Sequence, residues 1–182
     1  FDPNFPFKDR DPRFYHDIVF DGFQYIHGAA GDREAYVYCQ LYTGGNMRPV
    51  ANGSRTGYFI QKLVPHTCNV IDRDYDWGAA VHVYLPYMRL ADVYLMYAEA
   101  LAEADKLTQE DLNISVNLLR DRVGMPHLNM NAANEDPDEY LCSEKYGYRN
   151  VTGTNKGVIL EIRRERAVEL AQEGKRWDDL IR

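Results

Sequence analysis

Only three cysteines occur in the 182 residues, Cys39, Cys68 and Cys142, and no two of them stand in a Cys-x-x-Cys spacing. Neither a disulfide framework nor a four-cysteine zinc site can be built from them, and they are expected as buried thiols. Long apolar runs are missing as well. The longest, around Val93 to Leu101, is interrupted by Glu99 and falls well short of the ~20 residues a membrane-spanning helix needs. Basic residues are in deficit, 21 Lys and Arg against 28 Asp and Glu, for a formal charge of -7; such a balance argues against nucleic acid as a partner. No serine sits in a Gly-x-Ser-x-Gly elbow and no glycine-rich phosphate loop precedes a helix, so covalent hydrolysis and nucleotide binding lack their usual signatures. The chain opens on Phe1-Asp2-Pro3-Asn4 without a charged and apolar leader, and any export signal is expected upstream.

What is present suffices for a packed core: 45% of residues are hydrophobic and 27% charged. The length is that of roughly one domain. Tyrosine dominates the aromatic residues, with 14 against seven Phe and two Trp. A tyrosine joins a flat apolar face to a hydrogen-bonding tip, which suits amphipathic ligands.

From Phe1 to about Tyr84 the composition is that of turns: Asp11-Pro12, Asp21-Gly22, Gly44-Gly45 and Asn52-Gly53 break up short aromatic runs. Two short strands are expected, in Ala35–Cys39 and Gly57–Ile60, with Asn52-Gly53 a weak hairpin signal between them. No long helix is expected in this half. The aromatic residues Tyr25, Tyr36, Tyr38, Tyr42, Tyr58 and Trp77 interleave with Arg33, Asn46, Arg48, Asn52 and Arg55. Aromatic faces stack on the C–H faces of sugar rings while Asn and Arg satisfy the hydroxyls. Tyr25, Tyr42, Tyr58 and Trp77 are the candidate ligand contacts; packing as ordinary strand residues is the competing reading for each.

The character changes at Pro86. Met88 to Ala104 reads as a largely buried helix with Ala91, Ala98 and Ala102 on a small-residue face and Asp92, Glu99 and Glu103 on a narrow acidic one. Thr108 with Asp111 forms a capping box for a second helix that carries Leu112, Val116, Leu119 and Val123 and ends at Gly124 and Pro126. Residues 129–154 are polar, a long excursion of the kind that is either functional or poorly ordered. Thr154 or Asn155 then caps a third helix with Ile159, Ile162, Arg166 and Leu170 on one stripe, closed by Gly174, and a fourth begins at once. The fold class is mainly α, a helical scaffold with hairpin packing beside a long loop-rich segment and a few short strands.

The densest charge lies between Glu161 and Arg176. Glu161, Glu165, Glu169 and Glu173 follow one another at i,i+4, a spacing from which a two-carboxylate hydrolase site is imaginable. Nearby arginines would hold such carboxylates ionised, whereas a general acid needs a raised pKa. The stronger reading is an ion-pair network in which Arg164, Arg166 and Arg176 meet Glu165, Glu169, Glu173 and Asp179 and fasten the last two helices. Asp72, Asp74 and Asp76 begin like a calcium loop, but Trp77 and Val83 stand where that loop requires glycine and glutamate. His66 with Cys68 is the only close pair of soft ligands. No metal and no cofactor are expected.

Three of these helical blocks resemble the carboxy-terminal part of the SusD/RagB family: Arg89 to Leu101, Val116 to Pro126, and Ile162 to Leu180. Asp11-Pro12-Arg13-Phe14 followed by Gly22 is similar to the start of that part. The resemblance implies that residues 1–182 are the carboxy-terminal part of a SusD-like domain, with 1–84 a loop-rich ligand-facing segment and 85–182 a scaffold of tetratricopeptide-like units, the amino-terminal part lying outside the chain. It implies a surface-exposed lipoprotein of the outer membrane that binds oligo- or polysaccharide, is not an enzyme, and sits on a SusC-type TonB-dependent transporter. It also implies that Asn117, Arg120, Gly124, Glu165, Arg166, Glu169, Glu173, Gly174, Arg176 and Asp179 are mainly scaffold. Two alternatives remain open, a partner-docking scaffold with ligand bound elsewhere and an acid–base glycoside hydrolase.

Overall fold

The structure, a computed structural model, describes residues 4–26, 36–49, 51, 53–64 and 86–181, and of residues 25, 26, 36 and 37 the backbone alone. Among the described residues there are eight helices and four short strands, a mainly helical chain. It divides into two compact units, Phe1–Leu85 and Pro86–Arg182.

In the first unit Asp11 caps α1 (Pro12–Asp17), its Oδ1 accepting from Arg13 N at 2.9 Å, and proline supplies a first helical residue that needs no N–H partner. The Arg13 side chain folds back on the same carboxylate, Nε to Oδ1 at 2.9 Å and Nη2 to Oδ2 at 2.7 Å. β1 (Ile18–Val19) pairs antiparallel with β4 (Phe59–Ile60), and β2 (Gln24–Ile26) with β3 (Tyr36–Tyr38). The two strands anticipated on either side of Asn52-Gly53 are therefore not partners of each other. Between them the chain turns twice on itself, Gly45 N donating to Tyr42 O and Gly53 N to Pro49 O, so no two-residue hairpin closes. Val19, Cys39 and Leu41 form a small core with Phe23 and Met47 against it. Cys39 is a free thiol there, pushed up by burial and, secondarily, by the charge of Asp21.

The second unit is built on α2 (Leu90–Glu103) and α7 (Lys156–Glu169). Ala98 and Ala102 are wholly buried and Ala91 nearly so, which lets the two helices approach closely. Leu95, Leu112, Val116, Val158, Leu160 and Ile162 fill the core around them. The single helix anticipated after Thr108 is two: α3 (Gln109–Asn113), opened by the Thr108–Asp111 capping box, and α4 (Val116–Arg122). The break falls at Ser115, whose hydroxyl donates to the Asp111 carbonyl and competes with the backbone ladder.

Residues 129–154 are not a loose excursion. Asn129 and Asp138 cap α5 (Met130–Glu135) and α6 (Glu139–Cys142), and Leu141 and Val151 join the core with Met130 and Ala133 packed against it. α5 lies so close to α7 that a Cβ on Gly157 would meet the Ala133 carbonyl oxygen at 1.8 Å. Asn155 stands at the start of α7 but does not cap it with its side chain. Its amide reaches Ala102 O at 3.3 Å and Asp105 Oδ1 at 3.2 Å, while Asn134 Oδ1 accepts from Val158 N at 2.9 Å. One N–H of the first turn of α7, that of Val158, is thus satisfied from α5.

One buried guanidinium ties the scaffold together. Arg166 of α7 donates through Nη1 to Asp92 of α2 and through Nε to Asp179 of α8 (Arg176–Leu180) at 2.8 Å, and all three residues are buried. Lys175 Nζ stands 3.4 Å from the second Asp92 oxygen. Burial pushes Asp92 up, but the hydrogen bond and charge of Arg166, with Lys175 behind them, hold it below the ordinary carboxylate value. Removing Arg166 takes the bidentate guanidinium from two buried carboxylates, and Arg166→Ala should destabilise the protein by about 3–5 kcal/mol in urea unfolding. A depressed folded-state pKa stabilises above the ordinary carboxylate value, about 4, and that stabilisation is lost as pH falls below it. Asp92→Asn should therefore destabilise at neutral pH and flatten the acid limb of a Tm-against-pH profile; an unchanged limb would show that Asp92 does not carry it.

Candidate functional site

Of the four aromatic residues expected to contact ligand, Trp77 and the side chain of Tyr25 fall outside the described residues. So do residues 72–76 of the calcium-like segment, together with His66, Cys68 and His82. The Tyr25 backbone occupies β2 opposite Val37. Tyr42 and Tyr58 are 54% and 45% exposed. Both are fixed by their backbone. Asp21 Oδ1 accepts from Leu41 N at 2.7 Å and Tyr42 N at 3.2 Å. Ser54 Oγ donates to Tyr58 O at 2.7 Å and accepts from Tyr58 N at 3.1 Å.

Their surroundings differ. The Tyr58 ring meets Phe7 and Phe14 edge-on, centroids 6.2 and 6.5 Å away, at the rim of a cluster in which Phe14 stacks on Phe20 at 5.1 Å. Part of its apolar surface is already used in packing. Tyr42 follows the buried Leu41 and points outward. Tyr38 at the end of β3 is 65% exposed; it stood in the same aromatic run, and no feature of that run separated it from its neighbours.

The charged helix of the second unit meets partners that the sequence did not assign to it. Glu169 accepts from Arg89 Nη1 at 2.6 Å and from Arg122 Nη2 at 2.7 Å, and Glu173 accepts from Arg89 Nε at 2.8 Å. Arg89 thus joins the start of α2 to the end of α7. Burial draws its guanidinium down, but the Glu173 and Glu169 bonds outweigh that and hold it above its ordinary value. Arg120 Nε stands 3.8 Å from Glu165 Oε2, an ion pair too long for a hydrogen bond. Arg163 donates to Glu99 at 2.8 Å and Glu103 at 3.0 Å.

Three expected pairings are absent. Arg164 turns to Asp138 and Glu161, because its position on α7 faces α6. Arg176 donates to the Tyr148 hydroxyl at 2.8 Å and meets none of the expected carboxylates. Glu169 and Glu173 are held by α2 and α4 rather than by α8. The missing partners, Asp92, Glu99, Glu103 and Arg89, were legible only as an acidic stripe and a helix start on α2.

Chemically this is a set of charge pairs, most of them hydrogen-bonded, with the buried Arg120 Nε left without a hydrogen-bond partner. Glu99 and Glu103 line a shallow hollow of about 270 Å³ with Met96, Ala100 and Arg163, and Arg163 bridges them. Glu165 and Glu169 are buried. Among the described residues no group of three His, Cys, Asp or Glu side chains is placed to hold a metal ion.

Comparison with known proteins agrees with the helical architecture. A crystal structure of a SusD-like protein from Bacteroides fragilis matches with a TM-score of 0.66 and 27% identity, over 99% of this chain and 30% of that one. The chain therefore spans about 30% of that protein's length. Curated proteins give no match. The model of the SusD family matches residues 2–182, and the chain belongs to that family.

Proposed function

We propose that this protein is the non-enzymatic, surface-exposed glycan-binding component of a TonB-dependent import complex, and that it hands carbohydrate to a SusC-type transporter. Family membership over residues 2–182 is the observation that carries the reading. On this reading residues 1–84 face the ligand and 85–182 form the scaffold, and the protein is held at the outer membrane as a lipoprotein. Among the described residues no helix is long and apolar enough to cross a membrane, which is compatible with anchoring by lipid.

Sugar would lie against Tyr25, Tyr42, Tyr58 and Trp77. The exposure of Tyr42 and Tyr58 on backbone-fixed turns supports this, since ordered rings lose little freedom on binding. Closed ion pairs support a non-catalytic role, because glycoside hydrolysis needs one carboxyl free to give a proton beside another poised to act on the sugar.

A second reading, a partner-docking scaffold with ligand held elsewhere, has an observation in its favour. Leu90, Val93, Met96 and Tyr97 are exposed along one side of α2, a stripe at helical spacing. Charge placed there, as Val93→Glu, should weaken co-purification of the transporter while leaving sugar binding intact.

Alanine at Tyr25, Tyr42, Tyr58 and Trp77 together should weaken polysaccharide binding by about tenfold or more in affinity electrophoresis of the intact protein. Retained affinity would move the site away from these rings.

A further inference from the structure

Outside the residues discussed above, the second unit displays a different aromatic surface. Tyr140 on α6 and Tyr146 on the turn that follows it lie with ring planes 8° apart and centroids 5.7 Å apart. Both are largely exposed, 63% and 61%, so the pair is not part of the core. Apolar ring surface left in water costs free energy that a packed tyrosine would avoid.

The pair is built rather than incidental. Ser143 bridges the two backbones, its Oγ donating to Tyr140 O at 2.8 Å and accepting from Tyr146 N at 3.1 Å. Tyr148 N closes the loop onto Leu141 O at 2.8 Å. Gly147 permits that closure, since a Cβ there would lie 2.1 Å from the Leu141 carbonyl oxygen. Beyond it Tyr148 is pinned by the Arg163 guanidinium, 5.2 Å from its ring centroid, and by Arg176 at its hydroxyl. A surface held this firmly loses little entropy when a ligand settles on it.

The surroundings select the ligand class. Glu139, Glu144, Lys145 and Arg149, neighbours of the two tyrosines in sequence, are exposed, and Lys145 Nζ lies 4.8 Å from the Tyr146 centroid. Two acids and two bases give no net attraction for a phosphate or a polycation. Two rings inside a charged rim are also far smaller than the apolar centre of a protein–protein interface. A C–H face edged with hydroxyls matches the outward ring surface that the stacked pair leaves uncovered, together with the polar rim.

We propose that Tyr140 and Tyr146 form a carbohydrate-binding platform additional to the tyrosines of residues 1–84, taking a pyranose unit of an uncharged glycan. The proposal rests on the glycan-binding reading above. The test uses the intact protein in native gels containing starch, xylan or β-mannan. Tyr140→Ala with Tyr146→Ala should reduce retardation at least about tenfold in apparent affinity, whereas Phe at both positions should keep it within about twofold, since the ring face is retained. In the unaltered protein the retarding polysaccharide should also slow nitration of Tyr140 and Tyr146 by tetranitromethane, a readout that needs no folded variant. Unchanged retardation of the double alanine variant, or unslowed nitration, overturns the platform and leaves the tyrosines of residues 1–84 standing. Loss with the double alanine variant but not with alanine at Tyr25, Tyr42, Tyr58 and Trp77 together supports the platform and removes the first assignment. Retardation of the unaltered protein by none of the three gels overturns both.

Discussion

Arg166 binds Asp92 and Asp179 at once, and three helices converge on that guanidinium. α7 carries so many charges that its inner face can be buried only if each charge meets a partner on the helix opposite. Asp92, Glu99 and Glu103 of α2 meet Arg166 and Arg163, while Glu169 at the end of α7 and Glu173 just beyond it meet Arg89. Acids and bases thus run in both directions across one helix pair. Arginine suits the task because its planar fork engages two carboxylates in fixed directions, which a lysine cannot do. The arrangement fixes the register of α2 on α7: sliding either helix by one turn would strand several buried charges together.

That register positions parts of the surface. Arg163, while bonded to Glu99, also lies over the Tyr148 ring. Arg176, beside the clamp at the start of α8, holds the Tyr148 hydroxyl. The loop between α6 and α7 is anchored by the charges that organise the core, although its own residues are mostly polar and exposed. An ordered polar loop of this length needs such anchors, because its short helices bury too little apolar area to fix it alone.

Local rules made much of the helical unit legible. The Thr108–Asp111 capping box and the small-residue face of α2 depend on local spacing along the helix, and both are present in the structure. Legibility stopped where a side chain chose a distant partner. Ser115 breaks a helix whose apolar period runs through it, because its hydroxyl takes a backbone carbonyl. Asn155 is a good cap by type, but its amide bridges to the end of α2 and Asn134 caps α7 instead. Adjacency in sequence points the charges of α7 to α8, and Arg166 does meet Asp179 there, but Glu169 and Glu173 find Arg89 at the start of α2 instead. Segment 129–154 read as a loop since its helices are only four and six residues long, below the length at which periodicity speaks.

Tyrosines show the same limit from the side of function. Tyr42, Tyr58, Tyr140 and Tyr148 are alike in composition and stand among similar polar neighbours, yet their environments differ in kind. Tyr148 spends its ring on Arg163 and its hydroxyl on Arg176. Tyr58 leans on Phe7 and Phe14. Among the described rings, Tyr140 stacks on another exposed one. What separates a ring that holds the fold from one that can meet a ligand is whether its faces are already covered, and that is decided by tertiary contacts rather than by the run of sequence around it. Charge follows the opposite logic: a buried carboxylate needs its cation whichever helix supplies it. The ionic residues of this fold are therefore tied to structure by necessity, and the exposed rings are the groups whose surface remains for recognition.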